Sequence, residues 1–329
     1  MTKKVAYYLG IDVGSVSTNL VVIDETENVI QKLYIRTGGQ PIAALKTGLK
    51  AIKDKISGDF EIKGVGTTGS GRQLAGLIAG ADVVKNEITS HAAAAIKAVP
   101  GVRTILEIGG QDSKIIILRD GIVYDFAMNT VCAAGTGSFL DRQASRLNIP
   151  IEEFGAYALK STAPVRIAGR CAVFAESDMI HKQQAGYCME DIINGLCEAL
   201  VRNYLNNLAK GKEILEPVIF QGGVAANIGI VAAFERALDK KIIIPEHHDV
   251  MGAFGAAIIA KRHVAKEGIK TAFNGFDAAD REYKTRTIQC ESCSNMCEVI
   301  DISSNGLTIA RWGDRCGKWS GGSRMVDVG

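Results

Sequence analysis

The chain has 329 residues, 47% hydrophobic and 22% charged, with a formal net charge of +2. That length can bury a substantial core and points to about two domains. A charge so close to balance gives no electrostatic case for nucleic acid or for an acidic membrane surface. The N-terminus enters a strand-like segment without the apolar run of a signal peptide. The apolar stretch at residues 258–260 is far too short to span a bilayer, so a cytoplasmic protein is expected. Eight cysteines in that compartment argue for metal binding or redox chemistry more than for disulfides.

Residues 9–24 read as a β-run, a tight turn at Gly14 and a second β-run, followed by a polar turn at 25–28. Helical spacing then covers residues 41–55. A near-copy of the opening hairpin occupies residues 106–120, with a turn before Ile122. Asp12 matches Glu107, Gly14 matches Gly109, Thr18 matches Ser113 and Asn19 matches Lys114, all at one constant offset. The pattern is an internal duplication of a strand–turn–strand unit.

Cys132-Ala-Ala-Gly-Thr-Gly137 follows, leading into a helix predicted over 137–147 that Thr136 or Ser138 is placed to cap. A second cysteine stands in Cys171-Ala-Val-Phe-Ala-Glu-Ser177. Residues 192–208 have the period of a long amphipathic helix. Cys188 and Cys197, in the same helix-patterned run, read as buried structural thiols. A buried strand from residue 216 breaks at Gly222-Gly223 and gives way to a helix through Leu238. Residues 241–245 form a short strand and 251–262 a helix of small residues. Alternation of this kind defines an α/β protein with a largely internal sheet. From about Glu267 a connector rich in Gly, Asp and charged residues leads to Cys290, Cys293, Cys297 and Cys316, and residues 320–323 end the chain softly.

The two hairpin turns are natural phosphate sites. Glycine lets the backbone approach an anion, and serial N–H groups in a turn form an anion-binding concavity. Asp12 is expected to hold Mg²⁺ through water, and Ser15, Ser17 and Thr18 to meet the β- and γ-phosphates. Gly135, Thr136 and Gly137, and Gly222 with Gly223, strengthen the signal. Cys132 beside such a loop joins nucleotide chemistry to a metal, because thiolates select Zn, Cu(I) or iron–sulfur clusters. Two cysteines cannot complete a four-thiolate site, so a cluster on Cys132 and Cys171 requires a second copy of the chain.

In this order the pieces resemble the actin, Hsp70 and sugar-kinase superfamily. Residues 11–18 resemble its first phosphate loop, 107–113 (with Gly109 and Gly110) the second, 221–227 (with Asn227) the adenosine motif, and 251–257 the second connecting helix. Within it, five stretches are similar to activator ATPases of 2-hydroxyacyl-CoA dehydratases and benzoyl-CoA reductases: Ile11-Asp-Val-Gly-Ser15, Gly66-Thr-Thr-Gly-Ser-Gly71, Ile108-Gly-Gly-Gln-Asp112, and the runs opening at Cys132 and Cys171. The resemblance covers residues 5 to about 263.

It implies two duplicated ribonuclease-H-like (actin-like ATPase) subdomains, at 1–100 and 101–265, with the nucleotide cleft between them. Residues 266–329 would be a connector and Cys-rich tail. It further implies ATP/ADP, Mg²⁺ and a homodimer with one [4Fe–4S] cluster held by Cys132 and Cys171 of each subunit. An electron from ferredoxin or flavodoxin would pass to a partner dehydratase or reductase, and the helix starting near Thr136 would transmit the nucleotide-driven change. Asp12, Glu107, Gln111 and Asp112 are the polar candidates for hydrolysis, Gln111 or Asp112 positioning the water. Lys114 and Arg72 could contact phosphate or partner but are expected on solvated surface, and Glu176 and Ser177 as helix caps. The four tail cysteines suit Zn²⁺ or a further Fe–S cluster, set against free thiols in a flexible terminus. Two other readings compete: a phosphotransferase of the same fold with structural cysteines, and a non-catalytic, nucleotide-dependent zinc-binding scaffold. The first needs an acceptor pocket between the phosphate loops, and residues 25–100 hold no long insert to build one.

Overall fold

The computed structural model describes residues 4–163 and 165–320; residues 321–323 of the soft ending lie outside that range. The duplicated hairpin becomes two five-stranded sheets of one design. In the first, β1 (Val5–Val13), β2 (Ser17–Ile23) and β3 (Val29–Arg36) run antiparallel. Then β4 (Phe60–Thr68) joins parallel to β1 and β5 (Val83–Val84) parallel to β4, giving the order β3-β2-β1-β4-β5. The second repeats this with β6 (Thr104–Ile108), β7 (Ser113–Arg119), β8 (Ile122–Asn129), β9 (Val218–Gln221) and β10 (Ile242–Ile243), in the order β10-β9-β6-β7-β8.

The likeness extends to single residues. Asp12 lies opposite Asn19 in the β1–β2 ladder, and Glu107 lies opposite Lys114 in the β6–β7 ladder. The Gly14 N–H donates to Ser17 O at 2.8 Å, and its counterpart Gly109 N–H to Asp112 O at 3.0 Å. Both acidic residues therefore enter identical tight turns from the same side.

Nine helices among the described residues complete the framework: α1 (Pro41–Lys55), α2 (Arg72–Ala79), α3 (Glu87–Ala98), α4 (Gly137–Leu147), α5 (Ile151–Leu159), α6 (Ala172–Gln184), α7 (Met189–Tyr204), α8 (Ile228–Leu238) and α9 (Met251–Glu267). The chain groups into two compact units, one of residues up to Ser90 together with those from Gly252 onward, the other His91–Met251. The linear division at 265 therefore differs from the structural grouping. Helix α9 belongs with the first sheet because its small residues let backbone meet backbone. A Cβ on Gly10 of β1 would stand 1.8 Å from Ala253 O, and one on Gly66 of β4 2.2 Å from Ala256 O. On the opposite face of β1, Leu9, Ile11 and Val13 pack with Leu45, Leu49 and Ile52 of α1.

The connector after α9 is packed, not loose. Phe273 and Phe276 stack edge-on, Ala278 and Ala279 are fully buried, and Lys50 and Lys53 of α1 pair with Asp280 and Asp277. It leads into a third, antiparallel sheet of β11 (Tyr283–Gln289), β12 (Glu298–Ser304) and β13 (Leu307–Trp312). Buried Asp301 holds that sheet, accepting from Arg286 at 2.6 Å and Arg311 at 3.1 Å.

In the second unit, Leu106, Ile108, Ile115, Ile117 and Phe220 of the sheet pack against α4, α5, α7 and α8. Cys197 is buried as expected, and burial pushes its thiol up to about 12. Cys188 corrects the expectation: it is exposed at the N-cap of α7, its thiol donating to Asp191 Oδ2 at 3.0 Å. Asp191 also accepts from Ser161 Oγ and from the Thr162 and Ala163 N–H groups. The Ser161 hydroxyl foremost, then Cys188 and these backbone donors, lower its carboxyl from 3.8 to about 2. A depressed folded pKa stabilises fully above the unfolded value and fades as pH falls through the folded one. Asp191→Asn is therefore expected to flatten the part of the acid-unfolding profile between pH 4 and 2, read by circular dichroism; an unchanged profile would remove Asp191 from the acid response. No helix among the described residues is long and apolar enough to cross a membrane.

Candidate functional site

The first turn is built around Asp12. Gly69, at φ +90°, follows β4 in a left-handed conformation that favours glycine. A Cβ there would come within 2.4 Å of Asp12 Oδ1, and a Cβ on Gly252 within 2.1 Å of Asp12 Oδ2. Each carboxylate oxygen thus faces a residue with no side chain. Ser15 is exposed at the turn tip and Ser17 half-buried, both accessible to a ligand. Thr18 is fully buried, its hydroxyl 3.0 Å from that of Thr37, which donates to Gly14 O at 2.9 Å. Its geometry is that of a brace behind the turn. Arg72 donates to Gly69 O at 3.1 Å from a half-buried position and closes the neighbouring loop.

The second turn carries a buried cation. Lys114 is 2% exposed, not solvated as expected, and its ammonium lies 3.0 Å from Glu107 Oε2 and 2.8 Å from Asp112 Oδ2. In the first turn the equivalent pair is neutral: Asn19 Nδ2 to Ser17 Oγ at 3.4 Å. Gln111 is exposed at the tip, while Asp112 is engaged with Lys114. Gly109 O and Gly110 O face away from the tip, accepting from the N–H groups of Gly137 (2.9 Å) and Ser138 (2.8 Å) at the start of α4. Gly135, Thr136 and Gly137 are buried behind the turn, the Thr136 hydroxyl donating to Ala133 O at 2.8 Å. The expected cap is absent: neither Thr136 nor Ser138 caps α4 through its side chain, and Ser138 Oγ instead donates to Gly110 O at 2.5 Å.

The 221–227 motif is a strand end and helix start. Gly222, at φ +91°, bonds His248 O through its N–H at 2.8 Å, and a Cβ there would meet Ile108 O at 2.3 Å. Gly223 is exposed. Asn227 caps α8, accepting from the Gly229 and Ile230 N–H groups at 3.0 and 3.1 Å. Gln221 is fully buried and bonds His91 at 2.7 Å, a pair that no local spacing announces.

Cys132 and Cys171, distant in sequence, converge within the second unit. Both are half-buried, and Cys132 Sγ lies 3.9 Å from the carbonyl of Arg170, the residue before Cys171. The Asn129 side chain holds the Cys132 backbone from both sides, at 2.9 and 2.8 Å. Cys171 stands at the N-cap of α6. Glu176 of α6 pairs with Arg142 and Arg146 of α4 at 3.0 and 2.8 Å, so it bridges two helices in place of the expected cap. Val131, Val173 and Phe174, next to the cysteines, are strongly exposed apolar residues. Two half-buried soft donors flanked by exposed apolar residues fit a thiolate-ligated cluster completed from outside the chain.

In the third sheet, Cys290 and Cys297 flank the Gln289–Glu298 register pair and are joined by a Cys290 N–H to Cys297 O bond of 2.8 Å. Cys293 lies between them, and Cys316 follows β13, which ends beside the start of β12. The topology therefore brings all four to one end of the sheet. Among the described residues no three His, Cys, Asp or Glu side chains are arranged to hold a metal ion.

The two repeated sheets, with an acid and a glycine turn in each, define an actin-like ATPase fold. The sequence pattern of the BadF/BadG/BcrA/BcrD ATPase family matches residues 9–260, and the chain belongs to that family. The 2-hydroxyisocaproyl-CoA dehydratase activator of Clostridioides difficile is 34% identical over 82% of this chain and 99% of its own length. The (R)-2-hydroxyglutaryl-CoA dehydratase activating ATPase of Acidaminococcus fermentans is 33% identical over 79% and 99%. The structure of the Clostridium difficile activator with bound ADPNP superposes with a TM-score of 0.72 at 32% identity, covering 80% of this chain and 98% of that one.

Proposed function

We propose that the protein is an ATP-dependent reductive activator of the cytoplasm. It works as a homodimer in which Cys132 and Cys171 of each copy hold one bridging [4Fe–4S] cluster. ATP hydrolysis is coupled to low-potential electron transfer, from ferredoxin or flavodoxin, onto a cluster-bearing dehydratase or reductase. The observation that carries this reading is the convergence of the two thiols beside a turn of phosphate-binding type, rimmed by exposed apolar residues. The Gly14 turn, with Ser15 and Ser17, and the Gly109–Gly110 turn would each offer backbone N–H groups to phosphate. Gly222, Gly223 and Asn227 would form the adenosine end, and Gly135, Thr136, Gly137 and Thr18 would brace the turns from behind. Asp12 supplies a hard oxygen for water-bridged Mg²⁺. Glu107, Gln111 and Asp112 complete the polar set, and the exposed Gln111 amide has the freer reach to orient a hydrolytic water.

The bound cluster would supply a one-electron carrier whose potential depends on hydrogen bonds to sulfur and on exposure. The chain's part is to present the thiols and to shift them when the turn fills with phosphate. The Gly109 and Gly110 carbonyls bonded to the start of α4 give that shift a direct path to the segment holding Cys132. The four tail cysteines, gathered at one end of their sheet, are a candidate second site for Zn²⁺ or a further cluster.

Iron, labile sulfide, zinc and molecular mass are to be measured on the anaerobically purified full chain and on a Cys290→Ser/Cys316→Ser variant. About two irons per chain in a dimer, kept by the tail variant and lost in Cys132→Ser, are expected. Absence of iron from both preparations would sink the reading, and zinc lost only with the tail cysteines would assign the second site.

A further inference from the structure

We infer that Asn203 is a positioning residue for the cysteine pair, tying the two cysteine loops together and donating to the Cys132 sulfur. The inference rests on the cluster reading above. Asn203, next to the last residue of α7, is 3% exposed. Its Nδ2 lies 2.6 Å from Gly169 O, in the loop leading to Cys171, and 3.9 Å from Cys132 Sγ. One amide thus contacts both loops.

The amide orientation follows from its partners. Asn207 Nδ2 donates to Asn203 Oδ1 at 3.1 Å, while Gly169 O can only accept. A flipped amide would set two donors against each other on one side and two acceptors on the other. The N–H side therefore faces the sulfur. Gly135 makes room for this arrangement, since a Cβ there would come within 2.7 Å of Asn203 Oδ1.

The Cys171 loop is fixed to α7 at further points: Arg202 Nη2 donates to Ile167 O at 2.6 Å, and a Cβ on Gly169 would meet Ala199 O at 2.7 Å. Tyr204, beside Asn203, donates its hydroxyl to Lys114 O at 2.5 Å, on the strand that leaves the second turn. The helix then changes to a π-helical turn over Leu205–Ala209, a local irregularity common at functional positions. Two consecutive side chains at this helix end thus bond the phosphate-turn strand and the cysteine loops.

An N–H donor at a ligating sulfur withdraws electron density and favours the more negative, reduced state. Removing it should make reduction harder. The test compares wild type with Asn203→Leu and Asn203→Asp in the full chain, reconstituted anaerobically with iron and sulfide. Asp keeps the size and removes the donor, so it decides the matter where Leu fails to fold. At equal iron content, both variants are expected to disfavour reduction by roughly tenfold, ~59 mV for one electron. In metal-free protein, iodoacetamide should modify Cys132 several-fold more slowly in Asn203→Asp, with exposed Cys188 unchanged as an internal reference. Wild-type potential at wild-type iron content overturns the inference. Where wild type itself takes up no iron, the cluster reading falls separately, and the Cys132 rate alone decides the role of Asn203: slowed, it stands; unchanged, it falls.

Discussion

Lys114→Met is expected to destabilise the chain by about 3–5 kcal/mol at neutral pH, the usual cost of removing one partner from a buried ion pair. The reason lies in what the substitution leaves behind. Glu107 is 4% exposed, and Lys114 is the cation 3.0 Å from its carboxylate. Without that ammonium the carboxylate keeps its desolvation cost and loses its principal compensation. Asp112, about a third exposed, can recover part of its loss from water. The double variant Lys114→Met/Glu107→Gln is therefore expected to regain most of the stability, because neutralising both partners removes the stranded charge. Denaturant midpoints of the wild type and the two variants form the measurement. A single variant as stable as wild type would mean that Glu107 is protonated or otherwise compensated in the fold, and the ion-pair account would fail.

The same pair marks how far the sequence could be read. Matching Asn19 with Lys114 identified the duplication, and the antiparallel register turns that match into a contact: Glu107 stands opposite Lys114 because Asp12 stands opposite Asn19. Reading a lone Lys as solvated ignored the acid across the ladder. Helices α1 and α4 were legible to their end residues, since an apolar stripe of helical period sits between strong boundaries. Helix α7 was placed three residues late because Cys188, read as core, is its cap, and the Asp191 carboxylate that fixes this end also bonds residues 161–163. The connector looked soluble by composition, yet its few apolar residues, Phe273 and Phe276 with Ala278 and Ala279, are spaced to dock it.

At the candidate site, glycines and acids were visible as local patterns, whereas the division of labour was not. Thr18 and Asn227 carry side chains that suit phosphate or ribose, and the fold turns both to its own hydrogen bonds. Asn203 sits in an ordinary amphipathic stretch; its partners lie at 132 and 169, and only tertiary structure joins them. Contacts of that range have no signature in spacing.

Gly252→Ala is expected to cut ATP hydrolysis by about a hundredfold, the scale of loss when a reacting group is displaced by about 1 Å. Intrinsic propensity argues the other way. Alanine in a helix is favoured over glycine by as much as about 1 kcal/mol, so a purely structural glycine in the first turn of α9 should tolerate it. The obstacle is Asp12, whose Oδ2 would stand 2.1 Å and Cγ 2.9 Å from the new methyl group. The other carboxylate oxygen lies against the Gly69 backbone, where a Cβ would stand 2.4 Å from Asp12 Oδ1. Either the carboxylate turns from its position or α9 shifts from β1, where Gly10 already brings the two backbones into contact. On the proposed roles of Asp12 and its turn, both routes would misplace the Mg²⁺-bound water shell while leaving in place the N–H groups proposed to bind phosphate. Nucleotide affinity without Mg²⁺ should therefore fall much less than the hydrolysis rate, and Asp12→Asn should reproduce the pattern without the steric change. Equal losses in Mg²⁺-free binding and in hydrolysis would show that the turn itself had been broken. Full activity in Gly252→Ala would take Asp12 out of the chemistry.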